Sequence, residues 1–529
     1  MPVVRTVKLG TELRLTATLL GTPRQTRVDW HRLGQNRTRQ KMVRLAGLMS
    51  LLGIAMVIAW LPLPLVTAAL LGTIAILIIL LRPVWGLITL LALIPFSPLV
   101  SLHLGGVRVG GMEALLALML TAWLLRMAVR GQVVIPHPPL LVPWLVWLGI
   151  ILVSSSGALS LGAATTETLK WLEMLALYLF MAANIQRRHV PWLVASMLLS
   201  GVVQAGLGLY QFTGRVGPEG FLILDGRFLR AFGTFRQPNP YAGYLGLTLP
   251  IALSLMLWSF SQTSQNPNTQ SQIADHPTQI TQRRSQIHAR ISSLALSVLL
   301  VAVTGLILCG LYASQSRGAW IGAAAAAILV SAVRSKRAAV LFATAVTLLT
   351  IVGAMGAYDL LPESIVQRFA DVVPVTDIPN IAVAEVTDAT FPAIERLAHW
   401  QAALNMWRDH LWLGVGFGNY PAVYPIYAIG RWLNPLGHAH NFYLNVAAET
   451  GLAGLLAYGL FWLSAFALGW RAVLGSRGFQ RAVAIGCLGV LVHLTVHNIV
   501  DNLFVQGMYL HVAAVLGLLV FIDSQRAQS

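Results

Sequence analysis

Gly437-His438-Ala439-His440-Asn441-Phe442-Tyr443-Leu444 closes a polar segment that begins near Tyr358, and on both sides of it nearly everything reads as hydrocarbon-spanning helix. The insert is rich in Asp, Glu, Trp and His, so it is where water, substrate and chemistry can meet. Working outward, apolar stretches long enough to cross a core of about 30 Å, near 17 to 25 residues each, fall at about 45–61, 65–81, 84–100, 111–129, 139–156, 169–185, 190–212, 241–260, 291–313, 318–333, 338–357, 445–470, 482–500 and 503–522. They predict an all-α polytopic membrane protein of about 12–14 transmembrane helices with one large outer loop, 358–441.

Composition points the same way. The 529 residues are 56% hydrophobic and 10% charged, with a mean hydropathy of +0.70, whereas a soluble globule carries about a quarter charged residues. A formal charge of +17 would suit nucleic acid, but Lys and Arg fall mostly in short loops between apolar runs, which is how membrane topology is encoded. No nucleic-acid partner is expected. Cys309 and Cys487 lie inside apolar runs, where thiols act as small hydrophobes, so no disulfide framework or zinc site is implied.

Residues 1–44 hold ten Lys or Arg without the apolar core of a signal peptide, and read as a basic cytoplasmic tail. With that tail inside, 25 of the 36 Lys and Arg fall on the cytoplasmic side, which supports a count of fourteen spans. The weakest are 84–100, which contains Pro95 and Pro98, and 318–333, short and Ala-rich; re-entrant segments are the alternative for both. Residues 261–290, rich in Gln, Ser, Thr and Asn, predict a disordered cytoplasmic loop. Residues 442–522 return to membrane helix and 523–529 form a short cytoplasmic tail. Within the outer loop Ile394, Leu397, Trp400, Leu404, Trp407 and Leu411 recur at spacings of three and four, so Ala393–Trp412 predicts an amphipathic helix along the membrane interface or over a cavity opening there. Its other face carries Glu395, Gln401 and Arg408.

Three polar clusters fall on the same outer side: Arg236 in Gly233-Thr234-Phe235-Arg236-Gln237-Pro238-Asn239, Arg317 in Ser314-Gln315-Ser316-Arg317-Gly318, and His438-Ala439-His440-Asn441 with Glu449-Thr450 beyond. Arginine offers a planar charged fork that matches phosphate oxygens, and imidazole suits a general base near neutrality. An anionic substrate with proton transfer is the expectation; anchoring of helix ends at headgroups is the plainer alternative.

On these motifs, together with Glu395-Arg396-Leu397-Ala398-His399-Trp400 and Trp412-Leu413-Gly414-Val415-Gly416-Phe417-Gly418-Asn419-Tyr420, the chain resembles the O-antigen ligase and polymerase superfamily of bacterial membrane glycosyltransferases over about residues 200–470. The resemblance implies a metal-independent, inverting transfer of a glycan from a polyprenyl diphosphate, such as undecaprenyl diphosphate, to a hydroxyl on a glycan, lipid or protein acceptor, without cofactor. The place would be the periplasmic face of a bacterial plasma membrane, in cell-envelope polysaccharide or lipopolysaccharide synthesis. It casts Arg236 and Arg317 as the diphosphate grip and His440 as the base, with His438 next; Asn239, Arg396, Asn441 and Glu449 are supporting. Ligases of this kind commonly have about twelve spans, so the basic tail and the extra spans are departures. Ligase and polymerase stay open, and an anion-transport component, for bicarbonate for instance, is the runner-up. A scaffold for polysaccharide export ranks last.

Four features are expected to mislead. Gly414-Val415-Gly416-Phe417-Gly418 lacks the strand-to-helix setting of a dinucleotide site and reads as a turn. His493 and His497 share a helix face, with Asp501 a turn further on, and predict a polar seam rather than a metal site. Glu173 is expected to pair with Lys170, with a role in acceptor binding as the alternative, and Glu113, near the outer end of its span, is similarly ambiguous.

Overall fold

A computed structural model of the protein describes residues 6–8, 49, 62–99, 101–104, 107–134, 136–223, 226–263, 276–354, 381–383 and 390–526. Span 45–61 apart from residue 49, nearly all of the basic tail, and the expected outer loop at 358–380 and 384–389 therefore lie outside the described residues.

The fold is all helical apart from short two-stranded pairings. In chain order the helices are α1 Leu63–Leu81, α2 Pro83–Leu93, α3 Gly111–Val129, α4 Leu141–Ser154, α5 Leu161–Asn184, α6 Val190–Gly214, α7 Pro238–Thr263, α8 His276–Ala313, α9 Arg317–Arg334, α10 Lys336–Ala354, α11 Phe391–Asp409, α12 Tyr420–Tyr427, α13 Phe442–Gly475, α14 Gly478–His497 and α15 Met508–Arg526. Among the described residues nine helical stretches are long and apolar enough to cross a membrane, and Pro83–Leu99 and Leu141–Gly157 are shorter apolar helices. Pro95 and Pro98 explain the first of these: α2 tightens into a 3-10 turn over Ile94–Leu99, because proline removes a donor and clashes with the preceding turn. Helix α9, by contrast, runs uninterrupted for 18 residues.

Helix α15 is buried on every side from Met508 to Ile522, the condition of a helix that is apolar all round. Helix α7 packs against α8, α9 and α14, and α15 lies against α5, α13 and α14. Small residues allow close approach, as in other membrane bundles. A Cβ on Gly246 would sit 2.0 Å from the His493 ring and one on Gly322 2.9 Å from its Nδ1. The two buried histidines, His497 Nδ1 and His493 Nε2 at 3.4 Å, thus occupy a slot between α7, α9 and α14, a polar seam.

Two expectations need correction. The disordered loop of 261–290 is too long: α7 continues to Thr263 and α8 begins at His276, so only 264–275 lies outside the described residues. Gln and Arg are good helix formers, and the turns they form extend a span already nucleated. Nor does Lys170 pair with Glu173. It binds Glu167 at 2.5 Å, as expected for side chains that lean toward the helix N-terminus. Glu173 accepts from the Tyr509 hydroxyl at 2.5 Å, and Glu113 lies 3.4 Å from that same hydroxyl.

Candidate functional site

The ends of α7, α8, α9, α13, α14 and α15 that carry the three polar clusters are tied together. Ala231 N–H donates to the Ala313 carbonyl at 2.9 Å, Arg230 Nε to Ser314 O at 3.1 Å, and Phe442 N–H to Asn498 O at 2.8 Å. A Cβ on Gly318, beside Arg317, would stand 2.5 Å from Val500. These contacts bring the Arg236 segment, the Arg317 turn and the histidine motif to one end of the bundle.

A cavity of about 330 Å3 opens there, lined by Glu167, Lys170, Gln237, Asn239, His438, His440, Glu449 and Asp501, with Trp171, Phe417, Phe442 and Phe504 as aromatic walls. The histidine motif is rigid. Asn441 caps α13, its side-chain oxygen accepting from Tyr443 and Leu444 N–H at 3.0 and 3.1 Å. Ala439 N–H donates to Asn445 Oδ1 at 3.1 Å and Trp400 Nε1 to the His440 carbonyl at 3.3 Å. Together they hold His440 in the left-handed region at φ 52°, which costs a non-glycine residue about 1–2 kcal/mol. Arg236, Gln315, Leu436 and Gln506 share that conformation in the connecting segments of this end. Strained backbone collects where function over-determines it.

His440 N–H donates to His438 Nδ1 at 3.0 Å, so a neutral His438 carries its proton on Nε2, which stands 3.8 Å from Asp501 Oδ1. The His440 ring lies 4.4 Å from that of His438, centre to centre, and both its nitrogens are buried without a partner. Burial, with the neighbouring His438 and Arg396 charges adding to it and Asp501 opposing, lowers the His440 pKa to about 3. His438 is also lowered, chiefly by burial, against the pull of Asp501. Arg396 has its Nε buried without an acceptor. His399 stacks on Tyr424 and bonds the Tyr420 hydroxyl at 2.8 Å, and burial brings its pKa to about 4.

Of the residues expected at the site, His438, His440, Asn239 and Glu449 line the cavity, while Arg236, Arg317, Arg396 and Asn441 do not. The exposed Arg236 donates to the Pro98 carbonyl at 2.8 Å. Glu449 is also a strut: its carboxylate accepts from Tyr420 N–H at 2.9 Å, and its carbonyl from Gly416 N–H at 3.0 Å. Gly414, Gly416 and Gly418 all have positive φ and wrap this point as a turn, with a Cβ on Gly414 only 2.2 Å from the Glu449 carbonyl carbon.

Sequence alone missed three contributors. Asp501 was visible only beside His493 and His497, yet it faces His438. Arg230 gave no motif, yet it joins Ser314 to Asn239, at 2.7 Å from the latter. Glu167, just ahead of the span at 169–185, carried no motif, yet with Lys170 it forms an ion pair on the cavity wall. Among the described residues His438, His440 and Asp501 form the one group whose ligand atoms, all within 4.8 Å of one another, could converge on a metal ion.

These features define a polytopic membrane protein with an ionisable cavity at one end of its helix bundle. A family model described as O-antigen ligase matches residues 301–459, which take in the Arg317 turn, the segment after α10 and the histidine motif, and this match supports the resemblance of that part of the chain to the O-antigen ligase and polymerase superfamily. No curated protein matches the chain.

Proposed function

We propose that the chain transfers a glycan from a polyprenyl diphosphate to an acceptor hydroxyl at the periplasmic face of a bacterial plasma membrane, without metal and with inversion at the anomeric carbon. The observation that carries this is His440, its two ring nitrogens buried and unpartnered in the cavity beside the His438–Asp501 pair and the unsatisfied Arg396 Nε. An acceptor hydroxyl seated there gives its proton to a His440 nitrogen while its oxygen bonds the anomeric carbon. The bond from that carbon to the diphosphate breaks, and its electron pair stays on the diphosphate. What the site must add is a base and charge neutralisation at the departing oxygens. Arg396, half-buried with its Nε unpartnered, is suited to the second role, with Arg236 and Arg317 on neighbouring turns as the further grip. In the empty site His440 is a weak base; a bound diphosphate, being anionic, raises its proton affinity. His438, fixed by the His440 backbone and Asp501, orients it.

The test is transfer by purified protein from a polyprenyl-diphosphate glycan, with EDTA present, alongside His440→Ala and Arg396→Ala. Release of polyprenyl diphosphate with glycan on an acceptor, lost in both variants, supports the proposal, and the acceptor that works separates ligase from polymerase. Loss of transfer under EDTA, restored by one added metal, sinks the base mechanism and turns His438, His440 and Asp501 into a metal site.

A further inference from the structure

At the opposite end of the bundle three arginines from separate elements line one cavity of about 720 Å3: Arg187 in the turn before α6, Arg477 at the start of α14 and Arg526 at the end of α15. Among the described residues no carboxylate lines it. Asp523, three residues before Arg526, is paired with Arg471 at 3.1 Å, and neither Arg187 nor Arg477 has a carboxylate partner among the described residues. The place is built rather than incidental. Gly475 lies under the Arg526 stem, and a Cβ there would stand 2.6 Å from Arg526 Cδ. Arg477 is the N-cap of α14 and no side chain caps that helix, which leaves first-turn N–H groups to an outside acceptor. Gln480, in that first turn, has its amide Nε2 buried without an acceptor. Leu474 and Ile522 supply an apolar flank.

We infer that this cavity binds a phosphate group, carried by an anionic lipid of the adjoining leaflet or free in solution. Guanidinium forks match phosphate oxygens, a helix N-terminus adds donors and a favourable dipole, and basic pockets between membrane helices on the cytoplasmic side hold lipid headgroups. The positive-inside reading puts this end in the cytoplasm. The apolar flank suits the glycerol and first methylenes of a lipid, so the lipid is the occupant expected to bind more tightly.

The experiment titrates the full chain, purified in nonionic detergent, with short-chain phosphatidylglycerol, with diacylglycerol of the same chain length, and with inorganic phosphate. Partners for comparison are R187Q/R477Q/R526Q and the charge-keeping R187K/R477K/R526K. Saturable phosphatidylglycerol binding, at least about tenfold tighter than diacylglycerol, weakened at least about tenfold by the glutamine substitutions and largely kept by the lysines, supports the lipid source. Phosphate binding of equal strength with the same variant dependence supports the free anion. Should the triple glutamine variant not fold, each single glutamine variant is expected to lose severalfold affinity. Equal binding by wild type and glutamine variants, or no preference for either phosphate probe over diacylglycerol, overturns the inference.

Discussion

His440 joins a left-handed backbone to a ring with two unpartnered buried nitrogens, and the sequence announces the residue but neither property. As the proposed base, its replacement by Ala is expected to lower kcat by about 10²–10⁴-fold, read as polyprenyl diphosphate released per enzyme. Asp501→Asn keeps the shape but removes the charge facing His438. It is expected to reduce kcat by about tenfold or more with little change in KM, because it acts through His438 and His440 rather than on the donor. The histidines also set a pH dependence of stability. His399, His438 and His440 all have pKa values below the usual imidazole value of about 6.5, so the unfolded chain binds protons that the folded chain refuses. Stability is therefore full above about pH 6.5 and is lost as the pH falls toward about 4 and then 3. Thermal midpoints in detergent from about pH 7 to 4 should fall, and fall less in His399→Asn/His440→Asn.

At the scale of elements, α13 shows how the outer loop and the bundle are made one body. The helix breaks at Gly451, φ 65° and ψ −163°, and the N–H groups freed just beyond it are taken by the loop: Leu452 donates to Leu411 O at 2.8 Å and Ala453 to Trp412 O at 3.2 Å. Left unmet beside lipid, such groups cost several kcal/mol each. A Cβ at Gly451 would sit 2.2 Å from the Trp412 carbonyl carbon, so Gly451→Ala must both strain its own backbone and push the loop away. A drop in thermal midpoint together with loss of transfer is the expected result, while Gly459→Ala, with open space around its Cβ, should leave both unchanged. The helix expected over Ala393–Trp412 is present as α11, but its buried face is Ile394, Ala398, His399, Ala402, Ala403 and Met406. Leu397, Trp400, Leu404 and Trp407 are only partly buried, and Trp412 is exposed. Periodicity located the helix; alanines allow the close approach to α13, and the large apolar side chains fall to the flanks.

For the whole molecule, the topology proposed from the placement of positive charge can be measured. Single cysteines at Leu433 and Arg477 in a Cys309→Ser/Cys487→Ser background should react with a membrane-impermeant maleimide from opposite sides, Leu433→Cys from outside and Arg477→Cys only after permeabilisation. The same side for both would invert the proposed placement of the cavity. Spans, their polar interruptions and the histidine motif were legible in the chain alone, because hydrophobic length and local spacing are one-dimensional quantities set by the bilayer and the helix pitch. Only the tertiary structure decided that Asp501 serves His438 instead of His493 and His497, that Lys170 turns to Glu167, that Arg230 bridges two turns, and that Arg236 and Arg317 stand beside the cavity lining rather than in it. Those choices depend on which helix ends meet, and residues hundreds of positions apart in the chain carry no local signal of it.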